Sequence, residues 1–263
     1  MKKLPLLVFM FCVNYVGVLG QINTTGGLTA NDIINILQGS DIIITNETIS
    51  CPDVAYGSYD NGAPIGMTAG ALLTSGSITN AEGPNNAGGT STNNGAAGNP
   101  LITNITGVNT FDACVLEFDF IPIGNTFVFN YVFGSEEYFE YVCSGFNDGF
   151  GFFLTGPNPA GGNYTDQNIA TLPNGTPVSI NSINDGNPIG NNCVNNQGDT
   201  CPCNPEFYVD NTGGTTTEYD GYTVPLNVNQ TVVPCESYHI IIAIADGGDG
   251  VFDSGVFIEN FSI

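Results

Sequence analysis

Three groups of acidic residues carry most of the chemistry available to this sequence. The first is Gly134-Ser135-Glu136-Glu137-Tyr138, with Glu140 just beyond it. The second is Phe146-Asn147-Asp148-Gly149. The third is Asp246, Asp249 and Asp253 in a glycine-rich stretch, with Glu259 further along. Each lies where strand-like sequence meets a turn. Oxygen donors on loops at strand ends, with glycine permitting sharp bends, suit Ca²⁺, which takes about six to eight oxygens in a flexible arrangement. The candidate ligands are therefore Glu136, Glu137, Asn147, Asp148, Asp246, Asp249 and Asp253, the first two groups acting together. The match is one of donor chemistry and not of motif. Asp246-Gly247-Gly248-Asp249-Gly250 lacks EF-hand spacing, and Phe252 stands where a glycine–aspartate β-roll repeat needs its key Asp. The competing reading is a set of solvated turns whose Asp and Asn side chains close their own backbone.

The same residues offer little to catalysis. Glu136 and Glu137 are adjacent and on a strand point to opposite faces, so together they make a poor acid–base pair. Glu137 with Asp148 or Asp246 would resemble a glycosidase pair only at a suitable separation. His239 is the one histidine and lies in an apolar strand, where a hydrogen-bonded structural role is expected. No Gly-x-Ser-x-Gly elbow is present, and the glycines of the Asn85 to Pro100 stretch lack the lysine of a phosphate cradle. The expectation is a non-catalytic protein.

The balance of charge points the same way. Lys2 and Lys3 are the only basic residues apart from His239, while all 25 carboxylates lie beyond residue 20. Loss of the first 20 residues would take the formal charge from −23 to −25. Carboxylates in such a body cannot pair with basic side chains. They must face water, accept from backbone N–H and hydroxyl groups, or bind cations. Nucleic acid and anionic membrane surfaces are repelled.

Met1-Lys2-Lys3, the apolar run from Leu4 to Leu19, and Val18-Leu19-Gly20 read as a secretory signal peptide cleaved before Gln21. The run is short for a membrane anchor, no other stretch could insert in a bilayer, and Phe11 before Cys12 speaks against a lipoprotein site. Export explains the cysteines: Cys51, Cys114, Cys143, Cys193, Cys201, Cys203 and Cys235 read as disulfide formers, with an odd one left over. Cys201-Pro202-Cys203 is too tight for a zinc knuckle, and the connectivity stays open.

The elements that must position these groups are mostly strands. One helix is expected after Thr29, which can cap it with Asp32; Ile33, Ile34, Ile36 and Leu37 supply its apolar face, and Gly39 can end it in a left-handed conformation. Strands are expected over 41–49, 71–74, 114–120, 126–133, 149–154, 222–228, 238–245 and 256–263. Leu116, Phe118 and Phe120 share one face, as do Phe127, Phe129, Tyr131 and Phe133. The turn Ile123-Gly124-Asn125 suggests that these two strands form an antiparallel hairpin. Residues 240–245, apolar throughout, suit a central strand covered on both faces. Asn85 to Pro100 reads as a flexible, variable loop. The fold class is all-β, an antiparallel β-sandwich of jelly-roll type with one short N-terminal helix, and residues 21–263 form one domain.

An ordered series of segments carries a resemblance. Phe111-Asp112-Ala113-Cys114-Val115-Leu116-Glu117-Phe118-Asp119-Phe120 is followed by Phe133-Gly134-Ser135-Glu136-Glu137-Tyr138, Phe146-Asn147-Asp148 and 150–156. Later come Asn168-Ile169-Ala170, Tyr219-Asp220-Gly221-Tyr222-Thr223, and Tyr238-His239 through Ala245-Asp246 to Asp253-Ser254-Gly255-Val256-Phe257. The series resembles the choice-of-anchor L domain of exported bacterial proteins, notably those of Bacteroidetes, across nearly the whole of 21–263. The resemblance implies a secreted or surface-attached module of Gram-negative cells, with no established activity to carry over. The sequence stops at Ile263 without a sorting signal, which suggests release or a piece of a larger adhesin-like protein. The expected function is a calcium-stabilised module for cell-surface adhesion or carbohydrate binding, with Tyr138, Tyr141, Asn147 and Tyr222 as sugar contacts. The alternatives are a subunit of an extracellular filament or matrix, linked through an edge strand and the odd cysteine, and a glycan hydrolase. Expected partners are an extracellular glycan, a protein surface, or copies of the chain itself.

Overall fold

The computed structural model describes residues 20–189, 192–195 and 197–262. The proposed leader, apart from Gly20, and Ile263 lie outside the described residues. In chain order the strands are β1 (Asn23–Thr25), β2 (Ile42–Ser50), β3 (Tyr56–Asp60), β4 (Gly70–Thr74), β5 (Thr110–Pro122) and β6 (Thr126–Ser135). They continue with β7 (Gly149–Pro157), β8 (Asn163–Asn168), β9 (Asn187–Ile189), β10 (Asn192–Val194) and β11 (Thr200–Cys201). The last are β12 (Tyr208–Asp210), β13 (Gly221–Thr223), β14 (Leu226–Thr231), β15 (Tyr238–Gly247) and β16 (Ser254–Ile258). Two helices join them, α1 (Ala30–Leu37) and α2 (Pro100–Thr106).

One sheet has the order β1-β3-β4-β16-β6-β13-β12, with β14 also paired to β6; the other runs β2-β5-β15-β7-β8. All the strand pairs are antiparallel, and a small sheet of β9, β10 and β11 stands beside them. The two large sheets enclose one core, as the all-β sandwich expectation requires. Leu116, Phe118 and Phe120 of β5 are fully buried, and so are Phe127, Tyr131 and Phe133 of β6. Rings meet across the interface: Phe120 stacks on Phe127 at 4.7 Å between centroids, and Phe129 meets Phe152 at 4.3 Å.

The hairpin expectation is corrected here. β5 pairs with β2 and β15, while β6 pairs with β13, β14 and β16, so the turn at 123–125 passes from one sheet to the other. Both strands carry an unbroken apolar face, wholly aromatic from Phe127 to Phe133 in β6 and ending in Phe118 and Phe120 in β5. Folding one over the other buries those faces against each other, which side-by-side pairing would leave to other partners. β15 takes the central place expected of it, paired on both edges. Its outer face is covered by α2, where Ile102 packs with Ala113, Val115, Phe153, Ala243 and Ala245.

Four other expectations change. α2 is a second helix: the Asn99 side chain accepts from the N–H of Leu101 and Ile102, Pro100 takes the first turn, and Gly107 closes it at φ 75°. α1 has the expected reciprocal Thr29–Asp32 cap, but it ends at Gln38 in extended backbone. Gly39 is needed for space, because a Cβ there would lie 2.0 Å from the Phe261 carbonyl oxygen. The single strand expected over 222–228 is two, β13 and β14, broken at Val224-Pro225 where proline has no N–H to donate. β16 ends at Ile258, short of the expected strand end.

Three disulfides tie the elements together. Cys51–Cys114 links the end of β2 to β5, Cys143–Cys201 staples β11 of the small sheet to the segment after β6, and Cys193–Cys203 ties β10 to the residues just past β11. Cys235 is the odd one, free and exposed.

Candidate metal centre

The acidic groups gather at one end of the sandwich, where the two sheets are bridged by loops. Glu136 and Glu137 follow β6 of one sheet, Asp148 precedes β7 of the other, Asp246 lies near the end of β15, and Asp253 precedes β16. All five are at most 1 % exposed. Burying so many carboxylates without a basic side chain demands other partners.

For some, the partners are protein groups. Asp148 accepts from Ser254 Oγ at 2.6 Å and from the Gly247 N–H at 2.8 Å. Asp253 accepts from the Thr92 N–H at 3.0 Å and from Asn80 Nδ2 at 2.6 Å. Space for its carboxylate exists only because residue 76 is glycine; a Cβ there would come within 1.6 Å of Asp253 Oδ2. Glu136 Oε2 accepts from the N–H groups of Gly89 (3.1 Å) and Thr90 (3.0 Å).

Other oxygens have nothing. Glu136 Oε1, Glu137 Oε2 and both oxygens of Asp246 are buried without a hydrogen-bond partner. Burial pushes the Glu137 carboxyl far above its ordinary range, and the charges of Asp148, Asp249 and Glu140 add to the shift. Burial and then the Asp148 charge do the same to Asp246. Asp148 is raised by burial, against the pull of its Ser254 and Gly247 donors. Glu136 is pushed up to about 9 by burial, opposed by the Thr90 N–H and reinforced by Asp220 and Glu218.

The seven candidate ligands thus fall into different settings. Asp148 acts on both Glu137 and Asp246, with Asp249 and Asp253 at their flank. Glu136, in the bend after β6 and not on the strand, faces the other way, toward Glu218 and Asp220 beneath residues 86–90. Asn147 is committed elsewhere: its Nδ2 donates to Thr106 O at 2.8 Å and its Oδ1 accepts from the Asn181 N–H at 2.9 Å. Asp249, half-buried, caps the Val251 N–H at 3.1 Å. Among the described residues no three carboxylate, thiol or imidazole groups converge as a ready ligand set. The donors nevertheless fit a hard cation, since every free atom is an oxygen and the surrounding carbonyls and Ser75 and Ser254 hydroxyls are oxygens too.

Two corrections concern the loops. Residues 85–99, expected to be free to vary, wrap the acidic end with their backbone N–H groups. Asn86 and Ala87 donate to Glu218, Thr92 to Asp253, and Asn94 and Ala96 to Asp112. Of the expected sugar contacts, Tyr138 is fully buried with its hydroxyl on Ile183 O at 2.7 Å, and Asn147 is buried. Tyr141 packs against Phe146 and Phe252, and Tyr222 is half-buried. Asp112 and Glu218, both buried, were not singled out from the sequence. The small-residue run at 85–99, rich in backbone donors, was the available signal.

His239 Nδ1 lies 2.9 Å from Asp119 Oδ1, in keeping with a structural role; Asn46 and then His239 hold the Asp119 carboxyl below its ordinary range.

A two-sheet antiparallel sandwich with three disulfides and an acidic, loop-bridged end defines an extracellular-type β-module. The chain belongs to the choice-of-anchor L domain family, whose model matches residues 21–263. Neither a curated protein nor a solved structure matches it. Family and disulfides together point to an extracellular or surface location, and among the described residues no helix is long and apolar enough to cross a membrane.

Proposed function

We propose that this chain is a non-catalytic surface module for cell-surface attachment, exported with residues 1–20 as its leader, and that Ca²⁺ holds its acidic end together. One observation carries the cation: the buried, unpartnered oxygens of Glu137 and Asp246 beside Asp148, in a chain with no basic side chain after Lys3 except His239. Leaving such groups unpaired is costly, and only a proton or a cation can relieve them. Glu137, Asp148 and Asp246 would hold the ion, assisted by Asp253 and neighbouring carbonyl and hydroxyl oxygens. Calcium suits this set better than magnesium, which needs a near-ideal octahedron and sheds its water reluctantly. These residues come from both sheets, so the bound ion would clamp the open end of the sandwich.

Burial also argues against glycan hydrolysis, since Glu137, Asp148 and Asp246 are at most 1 % exposed and beyond the reach of a sugar chain. The test is thermal unfolding with Ca²⁺ and with chelator at matched ionic strength. The expected result is a lower melting temperature on chelation; an unchanged transition rejects the structural ion.

A second reading, linkage of copies in a filament or matrix, draws support from the exposed thiol of Cys235. Its N–H bonds Pro122 O at the end of β5, next to Ile123, which is 57 % exposed. A covalent ladder on a non-reducing gel that Cys235→Ser abolishes would favour it.

A further inference from the structure

Beside the acidic end, the surface near β12 opens into a cleft that the cation does not use. It is a cavity of about 390 Å³ between residues 85–88, the turn after Glu137, and Tyr208. A smaller hollow of about 230 Å³ adjoins it and shares Phe139, Tyr208 and Thr212. Phe139 is 39 % exposed although its neighbour Tyr138 is fully buried. Tyr208 is half-buried and backed by the Tyr138 ring at 4.8 Å. Glu140, Asp185, Asp210 and Asp220 stand around these rings.

A ring exposed beside carboxylates offers a partner both an apolar face and charge to bind. Charge decides which partner fits. No lysine or arginine exists in the folded body to offset the four carboxylates, so an anionic partner is repelled. A neutral sugar would gain stacking and hydroxyl hydrogen bonds but would leave the carboxylate charge uncompensated. A guanidinium or ammonium gains both the ring face and charge-assisted hydrogen bonds to the carboxylates. We propose that this cleft docks an arginine- or lysine-bearing segment of a partner protein. The inference rests on the surface-attachment reading and not on the bound ion.

The test is isothermal titration of the calcium-replete protein with acetyl-Arg₄-amide, acetyl-Glu₄-amide and a neutral oligosaccharide at ~100 mM salt. Saturable one-to-one binding of the arginine peptide alone is expected. It should weaken roughly tenfold in Phe139→Ala, and similarly in Asp210→Asn, an exposed position where folding is not at risk. It should be unchanged in Asp166→Asn, an exposed acid on β8 of the other sheet. Equal binding by all variants, which diffuse charge would give, overturns the proposal. So does absence of binding, or binding of the oligosaccharide in place of the peptide. A cleft that fails while chelator still lowers the melting temperature removes this inference alone. A lost chelator effect with peptide binding intact removes the calcium reading alone.

Discussion

Asp246 shows at the scale of one residue what an acidic core needs. Both of its oxygens are buried without a donor, although Ser75 lies close by; that hydroxyl donates to Ser254 O at 3.3 Å. Replacing Asp246 by Asn removes charge and a ligand but keeps the shape. With Ca²⁺ present, Asp246→Asn should melt about 5–10 °C below the parent, the shift expected when an ion at roughly 100 times its Kd no longer contributes. Chelator should then leave its transition unmoved. Without metal the order should invert, because Asn is neutral as it stands whereas Asp246 must take up a proton to be buried there. Differential scanning of the four samples checks both halves. The acidic groups at 136–137, 148 and 246–253 were legible as candidates because they sit at strand ends. Which of their oxygens lack donors was not, since that depends on where residues 85–99 place their N–H groups.

At the scale of elements, the alternating faces of β5 and β6 were readable, but their pairing was not. A two-residue period tells which side chains share a face, and it is silent on whether two such faces lie side by side or against each other. Because Phe129 sits between Phe152 and Phe261 in the core, Phe129→Ala should cost about 3–5 kcal/mol in urea unfolding. The helix α2 escaped notice for a different reason. Its sequence, Leu101-Ile102-Thr103-Asn104-Ile105-Thr106, has poor helix propensity, and tertiary packing of Ile102 on β15 and β7 stabilises it. Its Asn99 cap should therefore matter: Asn99→Ala should lower stability by about 1 kcal/mol, while the far-ultraviolet spectrum keeps its β character. The disulfide Cys51–Cys114 closes a loop with a sequence separation of 63 across β2 and β5. Replacing both cysteines by Ala should cost about 2–5 kcal/mol by the same assay.

The charge of the whole molecule was the plainest message of its sequence, and it dictates how stability depends on pH. Without metal, Glu136 is raised from 4.5 to about 9, so the folded protein holds a proton there that the unfolded chain releases. Its contribution is complete below about 4.5 and is lost as pH rises toward about 9. Glu137 and Asp246 shift in the same direction. The chelated protein should therefore show a lower urea midpoint at pH 9 than at pH 6, and a flat or rising midpoint would contradict the burial of these acids. Calcium should oppose the trend, because a cation displaces the protons and binds more tightly as pH rises.

Calcium titration calorimetry on chelated protein, with Asp246→Asn alongside, probes the central claim most directly. The parent should take up the ion saturably with release of protons, and the variant should not. Absence of heat in the parent, or equal uptake by both proteins, would mean that the buried carboxylates are kept neutral by protons alone.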